Sequence, residues 1–235
     1  VAGENNGMLI QMTRLSISLA LIGLAGLPLV STAAHAQDGE KGIYAVARAG
    51  MAVNPEQKVS STDDIVSAFD DKTKYKSGIT GQIGAGYDFG MFRVEQTVGY
   101  TSLKAKNLDE DGFTGEGRNK AFSMSVAGYI DIPLTSMIVP YVGGGVGVTR
   151  VDASLSRTDG LTGIASNYAG KDWGMMWHAD AGVGIRVAPK VTLEVGGRYS
   201  QASGLKFDGI SDGQDAVFKP KMRTLSGTLG VRYMF

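Results

Sequence analysis

The stretch Leu225-Ser-Gly-Thr-Leu-Gly-Val-Arg-Tyr-Met-Phe235 decides how the rest of this 235-residue chain is read. Leu225, Leu229, Val231, Tyr233 and Phe235 fall on one parity; Ser226, Thr228, Gly230 and Arg232 fall on the other. A period of two marks a strand with one apolar and one polar face. The length is that of a strand crossing hydrocarbon at a tilt, about 9–11 residues.

Seven earlier segments have β character: 42–53, 78–89, 91–103, 121–131, 139–151, 173–187 and 191–199. The second sets Ile79, Ile83, Ala85, Tyr87 and Phe89 against Thr80, Gln82, Gly84, Gly86 and Asp88. The sixth sets Trp177, Ala179, Ala181, Val183 and Ile185 against His178, Asp180, Gly182, Gly184 and Arg186. The links alternate in length. Gly90, Pro133–Ser136 and Ala188–Lys190 are short; residues 54–77, 104–120, 152–172 and 201–221 are long and polar. Eight strands with short turns on one side and long loops on the other predict an all-β fold. It is an eight-stranded antiparallel transmembrane β-barrel, with short periplasmic turns and long extracellular loops. In hydrocarbon every backbone polar group needs a partner, so a closed barrel is one of only two solutions. Aromatics near segment ends (Tyr44, Tyr87, Phe89, Phe92, Tyr100, Tyr129, Tyr141, Trp173, Trp177, Tyr199, Tyr233 and Phe235) read as interfacial girdles, although Tyr129 and Tyr141 do not follow the face parity cleanly.

Composition agrees. Lys plus Arg and Asp plus Glu number 23 each, which gives no footprint for nucleic acid. There is no cysteine, hence no disulfide framework or thiol chemistry. The 34 glycines, twice the usual share of about 7%, sit inside strand-like runs where backbones approach closely. Mean hydropathy is near zero, which excludes a helical membrane protein but not a barrel.

Arg14, an apolar run from Leu15 to Val30 and Ala34-His-Ala36 read as a signal peptide over residues 12–36. The alternative is an uncleaved anchor. Residues 1–11 read as an upstream extension from a mis-assigned start, and 37–235 as the barrel domain.

Four motifs carry a resemblance: Gly42-Ile-Tyr-Ala-Val-Ala-Arg-Ala-Gly50, Gly84-Ala-Gly-Tyr-Asp-Phe-Gly-Met-Phe-Arg-Val-Glu95, Val139-Pro-Tyr-Val-Gly-Gly-Gly-Val-Gly147 and Gly230-Val-Arg-Tyr-Met-Phe235. In their order and spacing the chain resembles the opacity-protein and surface-antigen type of small outer-membrane β-barrel, related to the membrane domain of outer-membrane protein A. The resemblance implies a monomer of the Gram-negative cell envelope with variable surface loops and no following peptidoglycan-binding domain. Its partners would be outer-membrane lipids and lipopolysaccharide, periplasmic chaperones and the barrel-insertion machinery, and host surface molecules met through the loops. The terminal strand resembles the family's assembly signal, which places that role on Leu229, Val231, Tyr233 and Phe235.

The polar parity gathers Arg48, Gln82, Asp88, Arg93, Glu95, Asp131, His178, Asp180, Arg186, Glu194, Arg198 and Arg232. An eight-stranded lumen is just wide enough for side chains to fill. These residues therefore predict a paired polar network that plugs the lumen; the alternative is a narrow, porin-like path gated by it. A third reading is a lipid-active barrel enzyme using His178, the only histidine after residue 36. A single histidine without an evident activated nucleophile makes a poor triad. We therefore expect no catalytic residue, no cofactor and no metal site: one His and no Cys suit no transition metal. Asn107–Gly112 lacks the closing Glu of a Ca²⁺ loop, and Gly143–Gly147 lacks the helix and Lys-Ser/Thr of a phosphate loop. Loop cations Lys104, Lys106, Arg118, Lys120, Arg157, Lys171, Lys206, Lys219 and Lys221 could meet lipopolysaccharide phosphates, against the alternative of a mixed-charge soluble surface.

Overall fold

The computed structural model describes residues 41–61, 73–74, 77–104, 113–159, 163, 165–211 and 213–235. The expected extension 1–11, the signal segment 12–36 and the acidic stretch 107–112 lie outside them. The described residues form ten strands: β1 Gly42–Ser61, β2 Thr73–Lys74, β3 Gly78–Asp88, β4 Phe92–Lys104, β5 Phe113–Asp131, β6 Ile138–Asp159, β7 Ala165–Ala188, β8 Val191–Ser203, β9 Phe207–Ser211 and β10 Gln214–Met234. Eight pair in the ring β1-β3-β4-β5-β6-β7-β8-β10, and β10 closes it on β1 from Tyr44↔Met234 onward. All pairings are antiparallel. Closure leaves the ring no edge strand, so its backbone groups are satisfied within the wall.

The short turns follow from local chemistry. Gly90 adopts φ +108°, a region that favours glycine, and its N–H donates to Asp88 Oδ1 at 2.7 Å. In the next short turn the amides of Met137 and Ile138 both donate to Thr135 Oγ1, at 3.2 and 2.9 Å.

The expected long loops are shorter than their polarity suggests. β6 runs on to Asp159 and β7 starts at Ala165, so most of 152–172 is strand. The alternation continues there with its phase reversed. On β6 the outward residues Val142, Val146 and Val148 give way to Arg150, Asp152, Ser154 and Ser156. The inward residues change from Gly143, Gly145, Gly147 and Thr149 to the buried Val151, Ala153 and Leu155. On β10 outward Lys219, Lys221 and Arg223 precede Leu225 and Leu229, while inward Ala216, Phe218 and Met222 precede Ser226 and Thr228. Below the reversal the wall faces lipid and encloses polar groups. Above it the wall faces water and encloses an apolar core.

The core of that outer storey is Val151, Leu155, Tyr168, Leu205, Phe207 and Phe218, with smaller neighbours. Tyr168 stacks on Phe207 and leans on Phe218, each at 5.4 Å between centroids. β9 continues the line of β8 past the turn at Gly204 (φ +82°) and pairs with both β7 and β10, so the wall stays closed there.

Candidate functional site

The inner storey of the lumen holds the charges. They come from the inward parity of β1, β3, β4, β5, β7, β8 and β10, so strand register brings them together. Arg48 of β1 donates from Nε to Glu194 Oε2 at 2.8 Å and from Nη2 to Glu95 Oε2 at 2.9 Å. Arg93 of β4 donates from Nε to Asp131 Oδ1 at 3.0 Å and lies 3.5 Å from Glu194 and 3.9 Å from Glu95. Arg232 of β10 reaches Asp88 at 3.3 Å, Asp131 at 3.4 Å and Glu194 at 3.5 Å. Glu194 therefore meets three guanidinium groups. A second cluster adjoins it. Asp180 accepts from Arg198 Nε at 2.5 Å and from Tyr129 Oη at 3.0 Å, and lies 2.8 Å from His178 Nδ1.

Three tyrosines complete the network, and their positions correct the girdle reading. Tyr44, Tyr129 and Tyr141 are buried in the lumen and not at the lipid interface. The Arg93 guanidinium sits over all three rings, 4.9 Å from Tyr129, 5.3 Å from Tyr141 and 5.8 Å from Tyr44. Each tyrosine lies directly across from a glycine: Tyr44↔Gly86, Tyr129↔Gly143 and Tyr141↔Gly182. A Cβ at Gly143 or Gly182 would overlap the opposing ring, so these glycines are sockets for aromatic side chains. The register was the missing signal. Parity already turns Gly86 and Gly182 inward, but which ring each glycine seats emerges only when the two strands are aligned.

Gly182→Val should therefore overpack the Tyr141 socket. We expect it to cost about 1–3 kcal/mol, seen as a lower urea midpoint for the folded barrel in detergent. An unchanged midpoint would refute the socket.

The remaining sequence-derived residues divide. Gln82 faces the lumen, with Oε1 buried and unpartnered. Arg186 does not join the network; it donates to the Ser136 carbonyl at 3.3 Å on the exposed short-turn rim. Leu229, Val231, Tyr233 and Phe235 all point outward, with Phe235 71% exposed. Tyr87, Phe89 and Phe92 line the short-turn rim of the same outer face, and Phe122, Trp173 and Trp177 the opposite rim.

Chemically, the network is a set of charge-paired hydrogen bonds between guanidinium groups and carboxylates. Ser200 lies across the register from His178, yet no hydrogen bond joins them, and His178 Nε2 is buried without a partner. The void lined by Arg48, Gln82, Tyr129, Tyr141, Asp180 and Arg198 is about 10 Å³, room for a single water. Among the described residues no group of three or more His, Asp or Glu is arranged to hold a metal ion.

A family model described as the outer membrane protein beta-barrel domain matches residues 22–235. The opacity protein opA51 of Neisseria gonorrhoeae is 24% identical over 220 residues, covering 77% of this chain and 89% of that protein. A candidate adhesin of Rickettsia conorii is 29% identical over 133 residues, which is 54% of this chain. The chain spans 53% of that adhesin's length and 60% of an uncharacterized Brucella abortus protein. Among solved structures, Neisserial surface protein A is 24% identical over 83% of this chain and 97% of its own, with a TM-score of 0.47. A closed antiparallel ring that is apolar outside and charged inside at the level of the lipid is what spanning a bilayer with strands requires. The chain belongs to the outer membrane protein β-barrel domain family and resides in the bacterial outer membrane.

Proposed function

We propose that the protein is a non-enzymatic surface barrel that contributes to envelope integrity and to contact with host or environmental surfaces, with its lumen sealed. The observation carrying this reading is the interlocked network around Arg93, whose side chain and that of Glu95 are wholly buried. Passage of an ion would require several buried pairs to separate at once, and breaking one such pair costs about 3–5 kcal/mol. The outer storey adds a second, apolar closure of the same lumen. Support for surface contact comes from relatives whose names are opacity protein and adhesin.

Planar-bilayer recording tests the seal. The wild-type barrel should give no reproducible single-channel steps, and regular steps would instead establish a channel. For the enzymatic alternative, lipid profiles of cells carrying wild type and His178→Ala should be identical. A lipid modification present with wild type and lost in the variant would overturn the non-enzymatic reading.

The outward row Leu229, Val231, Tyr233 and Phe235 is also proposed as the assembly signal. Removing Phe235 should then lower outer-membrane levels several-fold on immunoblots of membrane fractions. Normal levels would refute that role.

A further inference from the structure

The outward faces of β4 to β7 carry a group of cations at one level. Lys104 of β4 lies directly across from Arg118 of β5, and both are exposed. Lys120, on the same face of β5, lies across from Asp152 of β6, which lies across from Lys171 of β7. Arg150 precedes Asp152 on that face and stacks over the Trp173 ring at 6.0 Å. Among the described residues, five cations thus share this face with one carboxylate. Asp152 meets Lys171 at 3.3 Å, both side chains being more than half exposed. Lys104, Arg118, Lys120 and Arg150 make no ion pair among the described residues. Like charges placed directly opposite on a sheet repel, so the Lys104–Arg118 pair opposes folding unless an anion sits between them.

What lies below fixes the kind of anion. The cations stop where the wall turns apolar: Phe122 is in register with Arg150, Arg150 with Trp173, and Met124 and Val146 follow on the same faces. A ligand held at its phosphates by Lys104, Arg118 and Lys120 would have the rest of its body level with Phe122 and Trp173. A soluble polyanion would use only the upper half of this surface; an acylated one would use both. In a leaflet of phosphorylated glycolipids, neighbouring headgroups repel and need cations between them, which a basic wall supplies.

We propose that the β4–β7 face binds the phosphorylated headgroup of an outer-leaflet glycolipid. Its phosphates lie between Lys104, Arg118, Lys120 and Arg150, and its acyl chains lie along Phe122, Met124 and Val146. This rests on the surface-barrel reading and gives it a lipid partner at a defined site.

The test uses the full barrel in phosphatidylcholine nanodiscs, titrated with bisphosphorylated lipid A in the presence of a chelator. Both tryptophans of the chain, Trp173 and Trp177, lie on the adjoining face of β7 and report binding by their emission. Each cation near a charged membrane surface is worth about fivefold in affinity. Lys104→Gln/Arg118→Gln/Lys120→Gln should therefore bind about 100-fold more weakly, and Lys104→Gln alone about fivefold. The control Lys221→Gln/Arg223→Gln should match wild type, and dephosphorylated lipid A should bind poorly to every form. Heat-modified gel mobility verifies that each variant is a closed barrel; if the triple variant is not, the single variant carries the test. Equal binding of wild type and the charge variants, or of phosphorylated and dephosphorylated lipid, would overturn the proposal. So would a sulfated polysaccharide that binds this face where lipid A does not. None of these outcomes bears on conductance, so the sealed-barrel reading stands or falls separately.

Discussion

Replacing Arg93 by Ala should destabilise the folded barrel by about 3–5 kcal/mol, because it leaves buried carboxylates without a counter-charge. Asp131 would lose its closest guanidinium and Glu194 one of three, and the Tyr44, Tyr129 and Tyr141 rings would face a void. Urea titration of the refolded protein in detergent should show the loss as a lower midpoint at similar slope. Arg93→Lys should recover little of it. An ammonium is compact and cannot cover three rings while reaching Asp131, whereas the planar guanidinium does both. The same variant probes the seal: with the network broken, bilayers holding Arg93→Ala should begin to show current steps. A midpoint equal to wild type would mean that Asp131, Glu95 and Glu194 are satisfied by water, and the interlocked network would cease to explain the closed lumen.

Phe218→Ala should cost a similar amount, about 3–5 kcal/mol, but at the other end of the molecule. Phe218 is fully buried against Tyr168 in the outer storey, above the level of the lipid-facing band. Its loss should loosen β9 and the outer parts of β7 and β10 while leaving the membrane-spanning ring intact. Amide hydrogen exchange distinguishes this from global destabilisation. Protection should fall for residues 166–168 and 207–218 and persist for 225–234. Uniform loss along β10 would show that the two storeys unfold as one, against the division drawn between them.

These two substitutions act on one strand-built cylinder whose interior changes character along its axis. Arg93 is held by charge and ring faces in the storey surrounded by lipid, and Phe218 by apolar packing in the storey surrounded by water. In each case the wall turns to its surroundings the kind of side chain that the interior lacks.

Much of the ring is legible in one dimension. The parity of Leu225 to Phe235, and of 78–89 and 173–187, sorts lipid-facing from lumen-facing residues directly. Arg48, Arg93, Glu95, Glu194 and Arg232 follow from that parity without knowledge of their partners. The outer storey is harder to see. Val151, Ala153 and Leu155 alternate with Asp152, Ser154 and Ser156 as cleanly as any spanning segment, but in opposite phase. Read for a lipid-facing apolar row, the segment looks like a polar loop.

The sequence by itself determined the number of strands in the ring, the faces and most of the charges that meet inside, Arg186 excepted. Each depends on a period of two, which is a property of the single strand. Only the tertiary structure decided which charge meets which, that Tyr44, Tyr129 and Tyr141 fill the lumen opposite Gly86, Gly143 and Gly182, and that Lys104 faces Arg118. Those are properties of register between strands. Register is set by closure of the whole ring, and no single strand carries it.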